Sequence, residues 1–160
     1  MSDNHATLHA NCVLLDDIGV LIRGASGSGK STVSRALLTA ARNRNWFARL
    51  VSDDRTEITR KHGRLIARPV EIIKGMIEIR GVGITRVPIE EAALVRLVVD
   101  LVEKGPRMPF DEDTETEILS VRLPRLVQIR GEDITEHVLD YIAGDVRPAS
   151  IVHENFKGFS

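Results

Sequence analysis

The sequence predicts an α/β protein with a P-loop nucleotide-binding fold and a mixed sheet. Residues 24–31 read Gly-Ala-Ser-Gly-Ser-Gly-Lys-Ser, which fits the phosphate-binding pattern G-x-x-x-x-G-K-[ST]. The apolar run 19–22 before this loop predicts a buried strand, and apolar residues at helical spacing over 32–41 predict a helix after it. Further apolar stretches at 46–52 and 94–102 predict additional strands. Strand, glycine loop and helix in this order are the arrangement that the pattern requires.

Length and composition indicate the number of domains and the class of partner. The chain has 160 residues, 42% hydrophobic and 28% charged, which predicts one globular domain over 1–160. A net charge of −1 argues against nucleic acid or an anionic membrane as the main partner. No apolar run reaches membrane-spanning length and residues 1–5 show no signal-peptide pattern, so we expect a cytoplasmic protein.

The segment before the loop predicts a β-hairpin. Residues 7–15 alternate loosely, and a turn at 16–19 separates them from the strand that enters the loop. The single cysteine, Cys12, lies in the apolar part of this hairpin, which favours a core position over a nucleophilic role.

The segment after the loop is predicted to bring two carboxylates to it. We predict the helix over 29–44 and the next strand over 46–52. A strand–helix–strand unit makes its two strands parallel and close, with their carboxyl ends at one edge of the sheet. Asp53 and Asp54 follow the second strand, so we expect them beside the loop, where open α/β sheets bind ligands.

The remaining pattern is less regular. It predicts a hairpin over 56–69, an ambiguous apolar segment over 70–77 that could form a short helix, a central strand over 94–102, an acidic loop over 105–116, strands over 117–121 and 125–130, and a helix over 133–143. The tail to residue 160 shows no clear period.

The glycine loop has the chemistry of a phosphate site. Glycines let the backbone approach a phosphate closely, and successive N–H groups then point into one concavity at a helix N-terminus. Lys30 adds a full charge for the β- and γ-phosphates, and the Ser31 hydroxyl can ligate Mg²⁺. The predicted nucleotide-binding residues are Gly24, Ala25, Ser26, Gly27, Ser28, Gly29, Lys30, Ser31, Thr32 and Arg80.

Two further stretches supply groups that a transfer reaction needs, namely a base and metal ligands. Asp53 and Asp54 can both reach the loop if the pleat breaks at the strand end; otherwise they form a solvated acidic turn. Residues 78–83 combine glycines with a charged pair, which suits a ligand-binding backbone or an ordinary glycine bend. Arg55 and Arg80 are candidates for phosphate contacts or for tying down strand ends.

Taken together, these stretches resemble the catalytic domain of HPr kinase/phosphorylase. Residues 50–55, Leu-Val-Ser-Asp-Asp-Arg, resemble that family's strand ending in two aspartates and an arginine. Residues 77–84, Ile-Glu-Ile-Arg-Gly-Val-Gly-Ile, resemble its signature around E-[IL]-R-G-[LV]-G-I. His9 stands fifteen residues before Gly24, as a histidine of the family does. The resemblance covers about 9–130, and the signature with the aspartate pair is far more specific than the P-loop.

The resemblance implies a bacterial protein-serine kinase that uses ATP and Mg²⁺ to phosphorylate an HPr-like phosphocarrier of a sugar or nitrogen phosphotransferase system. It also implies a P-loop variant similar to that of phosphoenolpyruvate carboxykinase, and a homohexamer. By position, Asp53 is the base for the acceptor serine, His9 lies near Asp53 and tunes it, and Lys30 completes the catalytic set. The predicted metal ligands are Ser31, Asp54 and Glu78.

Two departures from the family pattern modify these expectations. The family's long form carries a separate N-terminal domain, whereas this chain starts almost at the catalytic core and resembles a short form. In the bifunctional enzymes an arginine is expected after Phe-Asp, where this chain has Glu112. A carboxylate repels an incoming phosphate where an arginine would attract it, so this departure argues against phosphorylase activity.

Two other interpretations remain open at this point. In a P-loop small-molecule kinase, Asp100 would be the magnesium ligand at the end of a strand and Asp53 would bind the acceptor. In a nucleotide-dependent regulatory switch, ATP would bind without turnover. Which carboxylates face Lys30 distinguishes the first alternative from the HPr kinase reading.

Overall fold

The computed structural model describes residues 4–70, 76–79, 83–86, 89–104 and 114–144. In chain order their strands and helices are β1 (His5–Leu8), β2 (Ala10–Leu15), β3 (Ile18–Arg23), α1 (Lys30–Asn43), β4 (Ala48–Ser52), β5 (Thr56–Lys61), β6 (Arg64–Pro69), β7 (Met76–Ile79), β8 (Gly83–Arg86), β9 (Ala93–Val102), β10 (Glu115–Ile118), β11 (Val121–Ile129) and α2 (Thr135–Ala143). Neither of these helices is long and apolar enough to cross a membrane.

The predicted α/β fold with a mixed sheet is confirmed. The main sheet has the order β1-β5-β6-β9-β3-β2-β4, and β11 also pairs with β9. Strand β9 runs parallel to β3 and β11, whereas β6 pairs with it antiparallel. Strands β7 and β8 form a separate antiparallel ribbon. Strand β9 is therefore central, as its run of β-branched residues predicts.

Strands β3 and β4 run parallel as predicted, but they are not adjacent. Strand β2 lies between them and is antiparallel to both. Strand β2 already pairs with this side of β3, so the chain that leaves α1 forms β4 on the far side of β2. Because β2 is antiparallel, its first residues meet the carboxyl ends of β3 and β4 at one edge.

Two local predictions differ from the structure. Residues 117–121 do not form one strand, because the tight turn between β10 and β11 falls on Leu119 and Ser120, both with positive φ. This turn type favours glycine or asparagine, so Leu-Ser gives no turn signal. Residues 76 and 77, within the segment considered for a short helix, belong to strand β7.

The core lies on both faces of the sheet, as the alternation along β2 illustrates. Val13 and Leu15 join the cluster that contains α1 and α2, whereas Ala10 and Cys12 join the cluster on the other face. Asn11 has the same parity as Val13 and therefore faces α1. It is a polar residue in an otherwise apolar row.

Candidate active site

The glycine loop leads into α1 at the edge described above. Gly27 and Gly29 have φ of +79° and +98°, the left-handed region that glycine adopts without strain. Within the described residues, no side chain caps α1 and its first turn carries no acidic group. The first N–H groups of a helix have no partner within it, so they are available to an anion.

Lys30 and Ser28 line this loop from inside. Lys30 is 6% exposed, and its ammonium donates to the carbonyl oxygens of Gly24 at 3.1 Å and Ala25 at 3.2 Å. The Ser28 hydroxyl is buried and has no hydrogen-bond partner among the described residues. A Cβ on Gly24 would collide with that hydroxyl. A buried cation, an unsatisfied hydroxyl and an uncapped helix start fit a phosphate group.

Asp53 follows β4 and is half-buried against the start of α1. Its Oδ1 accepts hydrogen bonds from Ser31 Oγ at 2.9 Å and from Asn11 Nδ2 at 3.0 Å. The carboxylate therefore lies beside the hydroxyl that the motif assigns to Mg²⁺. The prediction that the aspartate pair emerges beside the loop is confirmed for this residue.

Asp54 turns away from the strand and takes different partners. Its φ of +69° ends the extended conformation, and its backbone N–H donates to Asn11 Oδ1 at 2.8 Å. Its exposed carboxylate lies 2.5 Å from His9 Nε2. His9 was predicted beside Asp53, but the described hydrogen bond of its ring goes to Asp54. The left-handed turn accounts for the difference, because it redirects the second carboxylate.

The residues near Ser31 fit a magnesium ion. Mg²⁺ in phosphoryl-transfer sites usually takes one or two carboxylates and completes its shell with water and phosphate oxygens. Ser31 and Asp53 together supply a hydroxyl and a carboxylate. Within the described ranges, no three His, Cys, Asp or Glu side chains converge as a metal cage. The backbone of Glu78 lies in β7, but its side chain is outside the described features.

Asp100 is engaged elsewhere. Arg23 donates to both of its carboxylate oxygens, at 2.7 and 2.8 Å, and Arg125 donates to Oδ2 at 2.5 Å. Burial raises the pKa of Asp100, but the hydrogen bonds from the two guanidinium groups outweigh it and hold the pKa below its usual value. A carboxylate neutralised in this way is a poor magnesium ligand, which removes the main support for the small-molecule kinase alternative.

Some predicted or singled-out site residues cannot be placed. Arg80 and Glu112 lie outside the described residues. Arg55 is exposed at the end of the Asp53–Asp54 turn, and its backbone N–H donates to the carbonyl of Asp53 at 2.8 Å.

Asn11 and Ser34 were missed by the sequence analysis. Asn11 Nδ2 donates to Ser34 Oγ at 3.0 Å, and Ser34 Oγ donates to the carbonyl of Lys30 at 2.8 Å. The one available signal was an asparagine in the buried row of β2, two residues before Val13. A buried amide needs hydrogen-bond partners, so its position pointed to a polar neighbour.

Two concavities lie away from the P-loop, beside the turns between β5 and β6 and between β10 and β11. One of about 340 Å³ is lined by Arg64, Arg96 and Arg122 together with apolar residues. The other, of about 560 Å³, shares Arg122 and adds Arg60 and His62. Neither is lined by a residue of the phosphate loop or of the aspartate pair.

Comparison with known proteins gives consistent matches. The family model described as HPr Serine kinase C-terminal domain matches residues 2–159. An HPr kinase/phosphorylase of Chloroherpeton thalassium is 36% identical over 142 residues, which are 79% of this chain and 40% of that protein. One from Lactobacillus acidophilus is 29% identical over 132 residues, covering 75% of this chain and 39% of the relative. The chain thus spans about two fifths of the length of these relatives.

A solved structure has the same fold. The Hpr(Ser) kinase/phosphatase from Coxiella burnetii matches with a TM-score of 0.67 and 27% identity, over 87% of this chain and 95% of that one.

Proposed function

The chain belongs to the HPr serine kinase C-terminal domain family, and from this premise we propose that it is an ATP-dependent protein-serine kinase. Its proposed substrate is an HPr-like phosphocarrier of a bacterial phosphotransferase system. The observation that carries the proposal is the Ser31–Asp53 hydrogen bond of 2.9 Å at the start of α1, directly after the P-loop lysine. It joins a nucleotide site to a carboxylate, which a transfer reaction needs.

The residues of the loop would hold the nucleotide. The N–H groups at the start of α1 and the Lys30 ammonium bind the phosphates, and the Ser28 hydroxyl gains a partner. Ser31 and Asp53 would hold Mg²⁺, and, as the resemblance implies, Glu78 would join them as a metal ligand and Arg80 as a phosphate contact. When bound, Mg²⁺ neutralises charge on the transferred phosphate.

The proton of the acceptor serine requires a carboxylate that is not occupied by the metal. The resemblance assigns this role to Asp53 and a metal role to Asp54. The contacts favour the opposite division, because Ser31 binds Asp53 whereas the exposed Asp54 carries the histidine. In this division Asp54 accepts the serine proton and His9 orients its carboxylate.

The finer features of the proposal come from the family pattern. We propose a homohexameric cytoplasmic enzyme that acts in the kinase direction. Glu112, in place of the arginine of the bifunctional enzymes, argues against phosphorolysis.

A phosphorylation assay tests the function. Purified protein, labelled ATP, Mg²⁺ and the HPr-like carrier of the same genome should give acid-stable label on a carrier serine, and EDTA should abolish it. Adding phosphate afterwards should not remove the label. Bound ATP without labelled carrier would contradict the kinase proposal and favour a regulatory switch.

Two isosteric variants then decide between the carboxylate roles. If Asp53 holds the metal, Asp53→Asn weakens Mg²⁺-dependent ATP binding, whereas Asp54→Asn abolishes transfer and leaves binding intact. If Asp53 is the base, Asp53→Asn abolishes transfer with ATP binding nearly unchanged. Near wild-type transfer by both variants would exclude either role.

A further inference from the structure

We propose that Asn11 is the positioning residue that gives Asp53 and Asp54 their separate tasks. This inference rests on the proposed function and deepens it, because it concerns how one site keeps a metal carboxylate and a proton-accepting carboxylate apart. Asn11 is 1% exposed, lies at the start of β2 and contacts both aspartates as well as α1.

The orientation of the Asn11 amide follows from its partners. The Asp54 N–H is a donor, so it must face the Asn11 carbonyl oxygen. The Asp53 carboxylate accepts, and the Ser34 hydroxyl proton is used on the Lys30 carbonyl, so both must face the NH₂ group. Both N–H donors and the carbonyl of the amide are therefore used, and neither rotation by 180° nor an apolar side chain satisfies the same partners.

The two ends of this amide act on the two carboxylates in different ways. The NH₂ group holds the Asp53 side chain toward Ser31 and the start of α1. The carbonyl oxygen holds the Asp54 backbone in its left-handed conformation, which a non-glycine residue adopts only with support. Without that turn, consecutive side chains of a strand point to opposite faces. Asn11 thus brings both carboxylates to one edge and keeps them on different partners.

Two substitutions separate positioning from simple core packing. Asn11→Ala removes the bonds to Asp53, Asp54 and Ser34, together with a longer one of 3.5 Å from Nδ2 to Ser31 Oγ. Asn11→Asp keeps the size and the acceptor for the Asp54 N–H, but it loses the donors and adds a negative charge beside Asp53. Cys12→Ala is the matched control, because Cys12 is the next residue of β2, is fully buried and faces the other core.

The measurements are the Mg²⁺ concentration for half-maximal ATP binding by calorimetry, the steady-state kcat and KM, and the melting temperature. For Asn11→Ala we expect the Mg²⁺ midpoint to rise about tenfold and kcat to fall about tenfold, the scale of one lost hydrogen bond to a charged group. KM for ATP at saturating Mg²⁺ should stay within about twofold. For Asn11→Asp we expect a similar fall in kcat but a lower Mg²⁺ midpoint, because a further carboxylate attracts the cation.

Opposite shifts of the Mg²⁺ midpoint in the two variants would support positioning, since loss of packing alone gives no such sign change. Folded variants whose midpoints and kcat match those of Cys12→Ala would overturn it. If Asn11→Ala does not fold, Ser34→Ala is used instead, because it removes one hydrogen-bond partner of the Asn11 amide. This variant should raise the Mg²⁺ midpoint by a smaller factor. Unchanged Mg²⁺ midpoints in both Ser34→Ala and Asn11→Asp would overturn the proposal. Mg²⁺-dependent ATP binding is measured without a phosphocarrier. It therefore tests the role of Asn11 even if the protein phosphorylates no carrier.

Discussion

At the scale of single residues, burial decides which reactive groups take part in chemistry. Cys12 in β2 pairs with Ser52, the residue directly before Asp53, so both residues lie near the same edge of the sheet. Cys12 nevertheless faces the core on the side of the sheet opposite α1, whereas Asp53 faces α1. Desolvation raises the pKa of the Cys12 thiol to about 12. The thiol is therefore inert, as its apolar setting predicts, and the reactive groups of this edge are carboxylates and an imidazole.

The raised pKa of Cys12 predicts slow alkylation. At pH 8 a thiol of this pKa is thiolate in roughly one molecule in ten thousand, and the thiolate is the reacting form. Iodoacetamide should leave Cys12 largely unmodified in the folded protein and modify it completely in urea, as followed by mass spectrometry. Modification of the folded protein at the rate of a free thiol would contradict this burial.

Which single residues could be foreseen depends on how local their determinants are. Lys30, Ser31 and Asp53 follow from a motif and a strand end. The pairing of His9 with Asp54 depends on one φ angle, and the role of Asn11 depends on the register of β2 against β4 and α1. No pattern within one segment carries that information.

At the scale of elements, Asp100 links three strands at the end of the sheet that carries the site. It lies in β9, and its two arginines come from β3 and β11. Arg23 is the last residue of β3, directly before the glycine loop, so this ion pair fixes the point at which the chain enters the loop. Asp100, the magnesium ligand in the small-molecule kinase interpretation, therefore has a structural role.

Replacing Asp100 by Asn should destabilise the protein by about 3 kcal/mol at pH 7, because two partly buried guanidinium groups lose their counter-charge. The pKa of Asp100 is lowered on folding, so its stabilisation is present above the unfolded value near 3.8 and is lost as pH falls through the lower folded value. Urea unfolding at pH 7 and between pH 4 and 3 should show the difference shrinking with acid.

The exposed Glu91 provides the control for this measurement. Glu91→Gln should change the free energy of unfolding by less than about 0.5 kcal/mol at either pH. A cost for Asp100→Asn that is equally small at pH 7 would show that the arginines are satisfied without it.

At the scale of the whole molecule, the strands β3 and β9, the α1 crossover and the hairpin β5–β6 were predictable because each is set by local periodicity and turns, whereas the parallel pairing of β3 with β9 joins distant segments and was not predicted. The position of β2 between β3 and β4 was not predictable, because local patterns do not specify which strand pairs with each edge of β3. That order matters for function, because it delivers His9 and Asn11 to the carboxyl edge.

Binding at this edge should stabilise the whole fold. ATP with Mg²⁺ at a hundredfold excess over Kd adds about 2.7 kcal/mol to the folded state, which raises the Tm of a chain of this size by roughly 5–10 °C. Lys30→Met should remove most of this rise, because the buried ammonium is the charge that faces the phosphates. Lys61→Met, at the exposed end of β5, should keep it. Equal shifts in both variants, measured by calorimetry, would place the nucleotide elsewhere.

The internal bonds of Lys30 also bear on which anions the loop should prefer. Its ammonium donates two of its three N–H groups to carbonyl oxygens in fixed positions, which leaves one donor for an incoming anion. A chloride ion, with one charge and no directional oxygens, is a weak competitor. A triphosphate presents several charged oxygens to the ammonium and to the helix N–H groups at once. We therefore expect the loop to bind a triphosphate in preference to a monovalent anion such as chloride.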